Sequence, residues 1–240
     1  MPKIDDLQGF NTQNNKNFNE LSTQEKIDRF TRSRWLFGDD FEKLQKAKIL
    51  VCGCGGVGGA AISALYRCGV GHISALDSDK FDITNQNRQV GSEFLNQAKA
   101  EVFSRLFDGV RALNLRIDEN SINEIDLNAY DIVIDAVDDI NAKILLAQKC
   151  VKLGVCFFSS LGAAKRIDAS KISVRSIWQT NNDPFARKIR HELRKANFKG
   201  DYKVVCSSEM PQCKRLGSFM GVTASFGLML ASLCVQNICK

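Results

Sequence analysis

No two of the nine cysteines stand in Cys-x-x-Cys spacing. That absence removes the usual ligand set of a tetrahedral zinc site. The odd count and irregular spacing argue equally against a disulfide framework, and no secretory signal opens the chain. Reduced thiols in a cytoplasmic protein are therefore expected. Histidine is nearly missing: His72 and His191 stand alone, and both read as structural or surface residues rather than ligands. Strong charge of one sign is missing too. With 33 Lys+Arg against 27 Asp+Glu the formal net charge is +6, which permits a polyanionic partner without requiring one. No internal repeat is evident.

The stretch from Leu216 to Cys239 lacks charge altogether and is long enough to cross a bilayer. It nevertheless carries Ser218, Thr223, Ser225, Ser232, Gln236 and Asn237, with glycines spaced as small packing residues. A buried terminal helix is the reading adopted. Membrane association through residues 216–239 is the alternative. The remaining composition, 44% hydrophobic and 25% charged, is ordinary for a globular protein. A chain of 240 residues suits one α/β domain with decoration, burying about 70% of its unfolded surface.

Residues 1–22 are polar and rich in Asn and Gln, and are read as a mobile arm. From Thr23 a helical pattern begins, with Ile27, Phe30, Trp35 and Leu36 apolar and Arg29, Arg32 and Arg34 between them. Strands and helices then alternate. Strand Ile49–Cys52, helix Val57–Cys68, strand His72–Asp77, an irregular loop, helix Gln97–Ala112 and a short strand Leu115–Ile117 are expected. Strand Ile132–Asp135, helix Asn141–Leu153 and strand Val155–Ser159 follow. This rhythm predicts a Rossmann-like α/β fold, a mostly parallel sheet with helices on both faces. After Gly162 the rhythm changes to strand Lys171–Ile177, a basic helix Pro184–Ala196, strand Tyr202–Cys206 and the uncharged helix, a C-terminal α+β extension.

The first strand runs into Gly53-Cys-Gly55-Gly56-Val-Gly58 and then a small-residue helix (Ala60, Ala61, Ala64). A strand feeding a helix N-terminus through glycines presents backbone N–H groups to a phosphate. Asp77 lies about 20 residues further on, where a ribose-binding acid belongs. Four polar clusters fall at strand ends, Asp77-Ser-Asp79 being the first. Asp79 either orients a metal or basic neighbour or caps a turn. Asn85-Gln-Asn-Arg88-Gln89 places a guanidinium fork, suited to phosphate oxygens, where a nicotinamide site needs no cation. Lys99 opens the following helix, and taken alone reads as a surface lysine. In Asp135-Ala-Val-Asp138-Asp139, Asp138 is the better candidate to hold magnesium against phosphate oxygens, and Asp139 to cap the next helix. Two cations, a glycine turn and a strand-end carboxylate describe an ATP–magnesium site better than an NAD site.

These clusters resemble the adenylating domain of the ubiquitin-activating-type superfamily, which includes the activators of sulfur-carrier proteins. The elements Arg29-Phe-Thr-Arg32, Gly53 to Gly58, Asp77-Ser-Asp79, Asn85 to Gln89, Lys99 and Asp135-Ala-Val-Asp138 occur in that superfamily's order. The paired zinc cysteines of sulfur-carrier activators are absent. Instead Asp183-Pro-Phe-Ala-Arg-Lys-Ile-Arg190, Val205-Cys206-Ser-Ser-Glu209 and Leu216 to Gly227 are similar to the second half of the bacterial tRNA threonylcarbamoyladenosine dehydratases. Gly59 departs from the serine common there, and the arm before residue 23 is longer than usual.

The resemblance implies an ATP-binding adenylating core over 23–165 and a substrate- and tRNA-binding extension over 166–240. It implies ATP-dependent activation of a threonyl carboxylate on a modified adenosine beside the anticodon, followed by dehydrative cyclisation. A homodimer is implied in which Arg32, or Arg34, reaches the partner's ATP, with a sulfur-transfer-related protein as a further partner. Implied ATP-binding residues are Gly53, Gly55, Gly56, Gly58, Asp77, Asp79, Asn85, Arg88, Lys99 and Asp138, with magnesium on Asp138. Arg88, Lys99, Asp138 and Arg32 are the implied catalytic set. Cys206 is either an acyl acceptor or a structural residue. The basic run Arg187, Lys188, Arg190, Arg194 and Lys195 is read as a tRNA-backbone patch over the alternative of a solvated helix face. Activation of a ubiquitin-like sulfur carrier is the alternative function, and an NAD-dependent oxidoreductase or nucleotide sensor is a third.

Overall fold

The computed structural model describes residues 27–240. The arm expected over residues 1–22 and the start of the first helical pattern lie outside them. Two short helices, α1 (Thr31–Phe37) and α2 (Asp40–Lys46), are separated at Gly38, whose φ of 53° breaks the helix. The single helical run expected from Thr23 is thus divided.

Seven strands form one sheet: β1 (Lys48–Cys52), β2 (His72–Leu76), β3 (Arg111–Leu113), β4 (Ile132–Asp135), β5 (Cys156–Ser160), β6 (Ile172–Ser176) and β7 (Lys203–Ser207). Their order is β3-β2-β1-β4-β5-β7-β6. All neighbours are parallel except β6 and β7. Central parallel strands are covered on both faces, so they read as unbroken apolar runs; Ile49, Leu50, Val51 and Cys52 are all fully buried.

Side-chain alternation along β1 divides the core. Ile49 and Val51 face α3 (Gly56–Cys68), α4 (Lys99–Leu106) and α7 (Met220–Ile238), packing with Leu65, Phe103, Phe226 and Leu230. Leu50 and Cys52 face α5 (Ile140–Leu153) and α6 (Pro184–Lys195), packing with Leu146, Cys150, Ile189 and Leu193. Helix ends follow local chemistry. The Asp139 carboxylate accepts the Ala142 N–H at 2.8 Å to start α5, and Asp183 caps α6 ahead of Pro184. Gly69 and Gly154, both left-handed, end α3 and α5.

Two expectations need correction. The helix expected over Gln97–Ala112 stops at Leu106. Phe107 turns extended and Gly109 takes a φ of 83°, which releases the chain into β3. The short strand accordingly lies at Arg111–Leu113 beside β2, ahead of the expected Leu115–Ile117.

The uncharged segment forms α7, among the described residues the one helix long and apolar enough to cross a bilayer. It lies along α3, burying Val222, Phe226, Leu230 and Cys234. Gly227 makes that approach possible, since a Cβ there would stand 2.2 Å from the Val57 carbonyl oxygen.

Candidate active site

Chain order reverses between β2 and β4 on either side of β1, and the crevice at the carboxyl ends of these strands is where open α/β sheets bind ligands. The glycine turn sits there. Gly53 has a φ of 90°, and a Cβ on it would lie 2.7 Å from the Ala136 carbonyl oxygen. A Cβ on Gly58 would fall 1.7 Å from the Gly53 carbonyl oxygen. Gly55 caps α3, and Gly56 faces Arg88 and the Thr223 hydroxyl of α7. No Cβ fits at Gly53 or Gly58, whereas one on Gly55 would meet nothing closer than 3.8 Å.

Asp77 organises the rim. One carboxylate oxygen accepts the Cys54 N–H at 2.6 Å and the other the Asp79 N–H at 2.8 Å. Burial pushes its carboxyl above the ordinary range, while those two hydrogen bonds and nearby Lys99 pull the other way. The Asp79 carboxylate accepts from Lys99 Nζ at 3.1 Å. With only 7% of its surface exposed, Lys99 is no surface lysine, so Asp79 is the orienting acid of a basic neighbour. A polar cleft of about 740 Å³, lined by Ser78, Lys80, Gln97, Glu101 and Asn114, opens beside this pair.

The loop after β2 brings Arg88 to the same rim. Its Nη1 donates to the Thr84 carbonyl at 2.9 Å and to Asn87 Oδ1 at 2.8 Å. Asn85 accepts the Asp82 N–H in a reciprocal cap, which holds the loop's entry. Buried Gln89 points at Gly55, its Nε2 3.8 Å from where a Cβ would be, and its Oε1 has no hydrogen-bond partner among the described residues. Asp138 is exposed just past β4, and Asp139 caps α5. Among the described residues no three His, Cys, Asp or Glu side chains converge as a metal cluster.

Other candidates lie elsewhere. Arg29 stacks on the Tyr66 and Phe30 rings and donates to Tyr66 Oη at 2.6 Å. This puts α1 at the far end of α3, about 15 Å of helix from Gly56. Arg34 pairs with Asp28 at 2.8 Å, and Arg32 is exposed. Cys206 is buried within β7, its sulfur 3.7 Å from the Ser173 carbonyl oxygen, and burial raises its thiol above the usual range. Both histidines are exposed. On α6, Arg187 and Lys188 are exposed, Arg190 donates to Thr180, Arg194 lies over the Trp178 ring and Lys195 pairs with Glu192.

Sequence reasoning missed two buried ion pairs. Lys143 Nζ donates to Asp135 at 2.9 Å and to the Ser160 carbonyl at 2.7 Å, and Ser159 Oγ donates to the same Asp135 oxygen at 2.6 Å. The other Asp135 oxygen accepts the Val137 N–H at 3.1 Å, fixing the backbone that walls Gly53. The available signal was Lys143 lying in register with Leu146, Ala147 and Cys150 on an apolar stripe. Arg166 pairs with Asp183 at 3.5 Å, tying the α6 N-terminus to the chain beyond β5.

The pattern of the ThiF family matches residues 30–240. The tRNA threonylcarbamoyladenosine dehydratase of Bacillus subtilis is 35% identical over 77% of this chain and 76% of its own length. That of Haemophilus influenzae is 34% identical over 84% of this chain and 89% of its own. The Escherichia coli tRNA N6-threonylcarbamoyladenosine dehydratase, solved in complex with ATP, superposes with a TM-score of 0.82 at 30% identity, covering 88% of this chain and 93% of that one. With its glycine turn and paired Asp79–Lys99 set in this fold, the chain belongs to the ThiF family, on the side of it that holds the tRNA threonylcarbamoyladenosine dehydratases.

Proposed function

We propose that this chain uses ATP to activate the threonyl carboxylate of threonylcarbamoyladenosine in tRNA and then closes it into a ring. The observation that carries the reading is Lys99, a buried ammonium held by Asp79 near a turn where neither Gly53 nor Gly58 has room for a Cβ. Such a group meets negative charge as it develops on phosphate, where preorganised cations act most strongly. Its relatives carry the dehydratase name, and one was solved with ATP.

In the first step a substrate carboxylate oxygen attacks the α-phosphorus and pyrophosphate leaves. A nitrogen or oxygen of the substrate's own urea group then attacks the acyl carbon. AMP departs with the former carboxylate oxygen and a proton is released, so the nucleoside loses one water. An internal nucleophile makes proximity a large part of this second step. In this reading the N–H groups of Gly53 to Gly58 hold phosphate, Asp77 faces the ribose, and Arg88 and Lys99 balance charge on the transferring and leaving groups. Magnesium takes one or two carboxylates together with substrate phosphates, so a lone exposed Asp138 fits it. When bound, the ion neutralises phosphate charge.

Arg32 completes the site from a second copy of the chain, a reading supported by its exposure and by the seat of its neighbour Arg29 on Tyr66, toward the far end of α3. Ile27 and Leu36, exposed near it, suit a contact between copies. The basic face of α6 starts at Asp183 near the carboxyl end of β5 and offers Arg187 and Lys188 to the RNA backbone, an attraction that salt weakens. Action on tRNA is compatible with a cytoplasmic protein.

Mass spectrometry of nucleosides tests the reading on tRNA incubated with the protein, ATP and magnesium. Threonylcarbamoyladenosine lighter by one water, only with ATP, is expected. No change, together with ATP–pyrophosphate exchange on a small Gly-Gly-ending protein, would move the assignment to a sulfur-carrier activator.

A further inference from the structure

Between β7 and α7 runs a loop, residues 208–219, with firm anchoring and a costly outer surface. Buried Glu209 accepts the Asp168 N–H at 2.9 Å, the Ile167 N–H at 3.1 Å and Gln212 Nε2 at 3.0 Å. Arg166 Nε donates to the Glu209 carbonyl at 3.0 Å. Lys165, held at a φ of 66°, exchanges backbone hydrogen bonds with Gln212 and Gly217 at 2.7 and 2.8 Å, and its Nζ donates to the Lys214 carbonyl. A segment pinned at so many points does not fold its apolar residues inward. Leu216 is 81% exposed, Met210 58% and Phe219 52%.

Phe219 is seated, not loose. A Cβ on Gly221 would fall 2.5 Å from its ring, so the ring rests against that glycine with half its surface open. The loop also abuts the site. Asn87 Nδ2 donates to the Ser218 carbonyl at 2.9 Å, while Asn87 Oδ1 accepts from Arg88. Lys214 and Arg215 are exposed on the same loop, and no acid occurs from Met210 to Met220.

An exposed, seated aromatic ring flanked by cations and free of acids matches unpaired RNA. Splayed bases stack on aromatic and guanidinium planes while phosphates meet the cations. An apolar protein face would leave Lys214 and Arg215 without counter-charge. We propose that loop 208–219 is the platform on which unpaired bases flanking the modified adenosine stack, with Phe219 as the stacking ring and Lys214 and Arg215 on the neighbouring phosphates. The proposal rests on the tRNA reading above and adds which part of the tRNA is gripped beside Arg88.

The test uses the full chain and a stem–loop RNA carrying threonylcarbamoyladenosine, with affinity read by fluorescence anisotropy. Phe219→Ala is expected to weaken RNA binding about tenfold while ATP affinity holds, and Phe219→Trp to restore it. RNAs made abasic one loop position at a time add a cycle: at the stacked position the loss costs the wild type but not Phe219→Ala. Lys214→Ala with Arg215→Ala is expected to flatten the salt dependence, which Phe219→Ala leaves alone. RNA affinity unchanged in Phe219→Ala, or abasic penalties equal in both proteins at every position, would overturn the platform. So would a change confined to the protein's self-association, which would make the face a contact between copies. A wild type that binds RNA through Phe219 yet removes no water would instead sink the dehydratase reading and leave the platform standing.

Discussion

The site contains two lysine–aspartate pairs that differ in one respect. Lys143 and Asp135 are each 1% exposed, whereas Lys99 is 9% and Asp79 68% exposed by side chain. Lys143 spends its three protons inside the protein, on Asp135, the Ser160 carbonyl and Ser159. Lys99 has one acceptor among the described residues, leaving two ammonium protons for an arriving anion. Similar chemistry therefore serves two purposes. The sealed pair fixes the Ala136–Val137 backbone that walls the glycine turn, and the open pair waits beside it.

Breaking the sealed pair gives the largest effect. Lys143→Met leaves Asp135 buried and uncompensated, and is expected to cost about 3–5 kcal/mol of folding stability, read by denaturant unfolding. Adding Asp135→Leu should recover much of that loss, because two apolar groups leave no orphaned charge. Failure of the double variant to recover would mean the pair does more than neutralise itself. The open pair behaves oppositely. Lys99→Met is expected to slow water loss from the nucleoside about 10²–10³-fold while stability moves by no more than about 1 kcal/mol. Comparable destabilisation in Lys99→Met and Lys143→Met would erase the distinction.

The smallest effect is expected at Cys206, a sealed group beside Ser173. Burial holds its thiol above the ordinary range, so it is neutral at neutral pH. A rate carried by its thiolate would climb with pH throughout that region. Cys206→Ala should keep ATP–pyrophosphate exchange and overlay the wild-type pH–rate profile. Loss of exchange in a folded variant would make Cys206 part of the nucleotide chemistry.

The contrast between the pairs also explains what was legible in the sequence. Strand Lys48–Cys52 and the glycines after it announce themselves, because an apolar β-branched run followed by a glycine-rich turn has few other uses. The burial of Lys99 does not. Its neighbours in sequence are small and polar, and the Lys80–Ala98 bridge with the Lys99 N–H to Asp79 carbonyl bond folds the loop back against it. The end of α4 was equally hidden, since Phe103, Phe107 and Val110 keep a helix-like apolar spacing across Gly109, where φ reverses. Nor does a local pattern tell that β7 inserts between β5 and β6, which is decided by long-range pairing.

The close passage of Gly227 over Val57 has a consequence in time. Helix α3, whose first turn forms the cradle, leaves the ribosome well before α7, and until α7 arrives its small-residue face has nothing to rest against. Domains mature as their long-range contacts become available. A nascent chain that already contains every glycine of the turn therefore still lacks the helix that packs along α3 and sets Thr223 against Gly56.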